Sequence, residues 1–215
     1  MQYVMDILFR WGHILFGVAW IGLLYYFNFV QTEYVKEADD SAKADVMKKL
    51  APRALWWFRW AALFTFLTGL ILLWFITNPN RLNLAITFGA VMGTIMMLNV
   101  WGIIWPNQKV VIGLSEGDKA KAAPKAALAS RTNTLLSLPM LYFMVASTHG
   151  VEASGGLYNM NSVSTTGLVV GLVIIALIEA NALWGKMNGA IQSVRSVITS
   201  SIVLTVIMAF ITSVL

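Results

Sequence analysis

Six apolar runs dominate this chain, and each is long enough to cross the hydrocarbon core of a bilayer, which takes about 20 residues of α-helix. They lie roughly at 4–31, 55–77, 82–106, 131–150, 163–186 and 190–215. In lipid, every backbone N–H and C=O must find a partner inside the protein, so such runs become helices. The short alternating segments of an outer-membrane barrel are not seen. Composition agrees: 58% of residues are hydrophobic and 12% charged, too little polar surface for a water-soluble domain. The predicted fold is an all-α integral membrane protein, a six-helix transmembrane bundle forming a single domain over 1–215.

The polar segments between the runs set the orientation. Residues 78–81 (NPNR) and 185–189 (GKMNG) carry turn chemistry and predict tight helical hairpins. Residues 32–54 and 107–130 are longer, charged, and read as loops, the first with a surface helix as an option. Both fall on one side of a six-span bundle, together with the 185–189 turn. That side collects Lys36, Lys43, Lys48, Lys49, Arg53, Lys109, Lys119, Lys121, Lys125, Arg131 and Lys186, against little beyond Arg81 on the other. By the positive-inside rule the basic side is cytoplasmic and both termini face outward, which is the periplasm if the membrane is the inner membrane of a Gram-negative bacterium. The net charge of +5 then reports orientation rather than a nucleic-acid surface. No cleavable signal peptide is expected, since the first run lacks a basic n-region and an A-x-A-like site.

Gly89–Gly93 and Gly167–Gly171 are small-xxx-small pairs that predict close helix packing, within the bundle or between copies in a homo-oligomer. Pro139 interrupts the fourth run and predicts a kink. Asn28 and Asn99 read as interhelical hydrogen-bond partners. Thr132, Asn133, Thr134 and Ser137 form a polar stripe explained by capping and packing. Glu179, beside Asn181 in the fifth run, is an intramembrane carboxylate. It has three readings: a proton relay, a protonated hydrogen-bond donor, or a partner of Arg59.

The chain has no cysteine, so thiolate chemistry and disulfides are excluded, and only two histidines, His13 and His149. Both fall in the outer half of the membrane in the expected topology. His13, Gly17, Trp20 and Leu24 share one helix face, with Gly17 leaving room for a flat ligand. Leu138, Tyr142, Val145 and His149 share another. Two imidazoles from facing helices can hold a haem b iron from both sides, and Arg10, one turn from His13, suits a haem propionate. The alternative is that each histidine only hydrogen-bonds within the bundle or at its outer edge. There is no P-loop, dinucleotide fingerprint, HExxH or supported nucleophile pair, so a hydrolase is not indicated.

Two stretches resemble a known family. Residues 11–22 (WGHILFGVAWIG) carry Trp11, His13, Gly17, Trp20, Ile21 and Gly22, and residues 99–150 carry Pro106, Asn107, Gln108, Asn133, Leu138, Pro139 and His149. This order is similar to the membrane domain of the bacterial cytochrome c-coupled urate oxidases. The resemblance covers about 5–150, a four-helix core, and leaves 151–215 as an additional hairpin. It implies a redox site in the outer half and urate or purine oxidation. Two of the family's further histidines correspond here to Thr87 and Thr132, and its C-terminal cytochrome c domain has no counterpart before Leu215. Electrons would then pass to a separate cytochrome c or to a neighbouring membrane subunit. The competing reading is a non-catalytic accessory subunit of a larger respiratory or photosynthetic complex; a small transporter ranks third, without an inverted repeat to support it.

Overall fold

A computed structural model describes residues 2–77, 82–153 and 165–214. The described residues contain no strand. The helices are α1 (Gln2–Tyr25), α2 (Thr32–Glu37), α3 (Asp40–Asp45), α4 (Ala51–Thr77), α5 (Leu84–Asn99), α6 (Trp105–Val111), α7 (Lys119–Ala153), α8 (Thr165–Trp184) and α9 (Val194–Val214). Among the described residues, five uninterrupted helical stretches are long and apolar enough to cross a membrane: Tyr3–Glu37, Asp40–Thr77, Leu84–Val111, Thr165–Trp184 and Val194–Ile211.

The sixth expected span, 131–150, is helical but less apolar than the other five. It lies in α7, which at 35 residues runs roughly 50 Å. Its low apolarity has a physical cause, because it buries a polar stripe: Arg131, Thr132, Asn133, Thr134 and Ser137 are each 5% exposed or less. A helix surrounded by protein can carry such a stripe, whereas one facing lipid cannot.

The 32–54 segment takes its helical reading rather than the loop. The first helix runs on through Glu37, and the second starts at Asp40. The break is confined to Ala38 and Asp39. Asp39 caps α3 by accepting the Ala42 N–H at 2.8 Å and the Ser41 hydroxyl at 2.9 Å. These hydrogen bonds, the Ala42 amide first, hold the Asp39 carboxyl below its ordinary range. The 107–130 loop shrinks likewise. α6 ends at Val111, closed by Gly113 N–H to Val110 O and Leu114 N–H to Lys109 O. Gly113 takes φ +79°, which a side chain would resist. The predicted 78–81 turn lies outside the described residues. The 185–189 turn falls between α8 and α9, which pack on each other as a hairpin.

Three π-helical stretches widen the spans: Tyr26–Gln31, Val46–Leu50 and Val100–Ile104. The last two each lead into a proline. Ala51 N–H reaches Val46 O just before Pro52, and Trp105 N–H reaches Val100 O just before Pro106. A proline ring collides with the carbonyl four residues back in a regular helix; the wider turn relieves that collision.

The chain forms two compact units, residues 1–70 with 97–133 and residues 71–96 with 134–215. In the second unit, Phe88 is fully buried against Phe143 and against Gly171, where any Cβ would strike its ring. Gly89 lets Met144 approach in the same way, while Gly93 meets nothing. Gly89 and Gly171 thus serve packing inside this unit. Pro139 leaves the helix continuous, and its missing N–H frees the Leu135 carbonyl. The buried Ser201 hydroxyl of α9 donates to that carbonyl at 2.7 Å. Asn83 starts α5 by accepting the Ile86 N–H and donates its amide to Ser147 O.

Candidate functional site

His13 is half-buried on α1 in the first unit. Its Nδ1 lies 2.9 Å from the Thr65 carbonyl oxygen and 3.2 Å from the Thr68 hydroxyl, both on α4. The Thr68 hydroxyl donates its own proton to the backbone, at 2.7 Å from Phe64 O and 3.0 Å from Thr65 O. A carbonyl can only accept, and the Thr68 oxygen is left as an acceptor. The proton of a neutral His13 ring therefore sits on Nδ1, shared between the two oxygens, and the Nε2 lone pair is directed away from this hydrogen bond. No hydrogen bond to Nε2 occurs among the described residues. The ring edge also rests on Gly69, where an added Cβ would come within 3.1 Å of Cε1.

Small residues on both helices allow this approach. A Cβ at Gly12 would stand 3.9 Å from the Thr68 methyl, and one at Gly17 would stand 3.9 Å from the Thr65 methyl. Gly17 was expected to make room for a flat ligand; on this face the room is taken by Thr65 of α4. Trp20 and Leu24, further along the same face, are buried at 2% and 0% exposure. Thr65, Thr68 and Gly69 were not singled out in the sequence. Their only local signal is a T-x-x-T-G string inside an apolar run, which by itself says nothing of a partner 52 residues away.

The other expected site residues are arranged differently. Arg10 forms an ion pair with Asp6 one turn back, Nε to Oδ2 at 2.7 Å. That pair neutralises much of the charge expected to serve a propionate. His149 is exposed on α7 in the second unit, and its face is exposed as well, with Val145 at 60% and Tyr142 at 37%. Thr87, in the second unit, donates its hydroxyl to Asn83 O at 2.9 Å. Thr132, in the first, is 1% exposed and its hydroxyl has no partner among the described residues. No group of three or more His, Asp or Glu side chains suited to a metal ion occurs among the described residues.

The first unit also holds a polar interior. Asn28 donates to Ser130 Oγ at 2.8 Å, and Asn99 donates to Asn133 Oδ1 at 3.0 Å, as their residue types suggested. Arg131, expected among the solvated basic residues, is 5% exposed. Its Nη1, with Trp20 Nε1, Gln31 Oε1 and Thr132 Oγ1, is buried without a hydrogen-bond partner among the described residues. Arg59 sits over the Trp105 ring, its Cζ 3.9 Å from the ring centre.

The family described as urate oxidase N-terminal matches residues 81–213. The match takes in the 99–150 stretch, Thr87, Thr132 and His149, and continues through α8 and α9; it begins beyond Arg10 and His13. No curated protein matches the chain, and no solved structure does.

Proposed function

The chain belongs to the urate oxidase N-terminal family, and from that premise we propose that it is a membrane redox protein in which His13 ligates haem b through Nε2. The observation that carries this reading is the engagement of Nδ1 by Thr65 O and Thr68 Oγ1. Ligating histidines characteristically donate their second ring nitrogen to a carbonyl, which fixes the tautomer and the ring plane and raises the basicity of the ligand. A histidine needed only for packing gains nothing from leaving Nε2 unspent in a bundle. His149, exposed on α7, belongs to the other unit, and the reading rests on His13. Arg10, held by Asp6, contributes less to propionate binding than its position suggests.

Bound haem supplies one-electron chemistry at iron. The residues of this chain supply the ligands, a water-poor helical setting and a fixed imidazole plane. The reading places the site on the periplasmic side of a bacterial inner membrane, with urate or another purine as the electron donor and a cytochrome c as acceptor. The charge asymmetry and the family membership support that assignment.

The test is a reduced-minus-oxidised absorbance spectrum of protein expressed with ample haem. The wild type is expected to show a Soret shift and a sharp low-spin α band, both lost or strongly reduced in His13→Ala. A wild type without a Soret difference, or a His13→Ala protein with an unchanged spectrum, overturns the proposal. Urate added to the oxidised protein then reports whether it can donate electrons to the haem.

A further inference from the structure

The His13 ring meets three residues from a single turn of α4. Nδ1 lies 2.9 Å from Thr65 O and 3.2 Å from Thr68 Oγ1, and the Cε1 edge faces Gly69, where an added Cβ would come within 3.1 Å. Thr65, Thr68 and Gly69 are spaced i, i+3 and i+4, so they share one helix face. The register that brings this face to His13 is held close by. Phe16, one turn along α1, packs its ring on Phe64 of α4, with centroids 5.1 Å apart. The backbone of α1 also approaches the Thr68 and Thr65 methyl groups at Gly12 and Gly17.

The two acceptors on Nδ1 have different consequences. Thr65 O is a backbone carbonyl that can only accept, so it decides the tautomer. It is also crowded. The Thr68 hydroxyl lies 3.0 Å from it, and the helix directs the Gly69 N–H to it as well. Its two lone pairs thus serve three donors. Thr68 Oγ1 is the second acceptor for the ring. Its own proton is turned to the backbone, 2.7 Å from Phe64 O, and a hydroxyl that donates becomes a better acceptor in turn.

We propose that Thr68 is a positioning residue for His13: its hydroxyl and Thr65 O bracket the Nδ1–H while Gly69 bounds the Cε1 edge, so that three contacts define one ring plane. The proposal rests on the reading of His13 as an Nε2 ligand, and it names the side chain that controls the direction and basicity of that nitrogen. An acceptor on Nδ1–H pushes electron density toward Nε2. Without the Thr68 hydroxyl, Nδ1–H depends on the crowded carbonyl alone. Nε2 then becomes less basic and the ring gains freedom to turn. A threonine that only bonds back to its own helix would leave the imidazole untouched when replaced.

The test uses the full chain in a mild detergent, without haem, carrying isotope-labelled histidine and followed by NMR. The Nδ1–H signal of His13 is identified by its loss in His13→Ala. In the wild type it is expected far downfield and slow to exchange with water. Thr68→Val keeps the methyl that faces Gly12 and removes the hydroxyl. The signal is expected to move upfield and to exchange several-fold faster, and Thr68→Ser is expected to restore it. Thr68→Ala gives the same readout if Thr68→Val does not fold. In haem-loaded protein, Thr68→Val is expected to raise the midpoint potential and Thr68→Ser to return it toward wild type. An unchanged Nδ1–H signal or an unchanged potential in Thr68→Val, or the same displacement in Thr68→Ser, overturns the proposal. A wild type that takes up no haem overturns the haem reading instead, and the NMR result alone then decides the role of Thr68.

Discussion

The two units of this protein use polar side chains for opposite ends. In the second, the polar groups described above repair the backbone: Ser201 caps the carbonyl freed by Pro139, and Asn83 starts α5 while donating to Ser147 O. In the first, polar groups are left with unspent capacity. Among the described residues, His13 keeps an open Nε2, Arg59 and Lys109 lack carboxylates, and the four buried unpartnered atoms belong to this unit. A buried polar group without a partner costs about 1–3 kcal/mol, so an excess of them in one unit marks where ligands, water or ions are accommodated. Among the described residues, the polar groups of the second unit serve as frame, while the unspent ones lie in the first.

That contrast predicts how substitutions divide. The largest effect on stability belongs to the frame. Gly171→Ala drives a methyl into the Phe88 ring, and such overpacking costs about 1–3 kcal/mol. Thermal unfolding in detergent should show the loss and, on the haem proposal, the spectrum of the surviving folded protein should be unchanged. A spectral change at normal stability would break the division. Ser201→Ala comes next, because it strands the Leu135 carbonyl. Side-chain hydrogen bonds inside membrane proteins contribute roughly 0.6–2 kcal/mol, so a smaller loss of the same kind is expected. The smallest effect on stability falls in the first unit. Gly69→Ala places a methyl 3.1 Å from His13 Cε1, and the ring must yield by a few tenths of an ångström. Its readout is a shift of the α band or of the midpoint potential, with unfolding close to wild type. A large stability loss without a spectral shift would reduce Gly69 to simple packing.

The helical architecture was legible in the sequence because apolarity over a bilayer's length leaves the backbone little choice. Helix ends were harder. Charged residues at 32–37 and 40–50 read as loop, yet exposed charges sit comfortably on a helix that runs on past the apolar region. Asp39, followed by Asp40 and Ser41, was the available clue, since a cap side chain and not a change in hydropathy ends the break. Arg131 misled for the opposite reason: composition assigns an arginine to water, and only tertiary packing shows it 5% exposed. His13 was legible as an ionisable group in an apolar run, but its partners were not. The register between α1 and α4 decides which carbonyl meets Nδ1, and no local period encodes a contact spanning 52 residues. Arg59 over Trp105 is hidden in the same way, because both residues look like ordinary interfacial residues until the turn at Val100–Ile104 aligns them.

The hydrogen bond between Ser201 and Leu135 spans 66 residues and reaches into α9. During synthesis, α7 leaves the ribosome long before α9 exists. Until then the oxygen bared by Pro139 has to be shielded by water or by the insertion machinery, since lipid tails offer it no donor. The Leu135 carbonyl of α7 therefore gains its final partner only once α9 has been made. That step waits for α9.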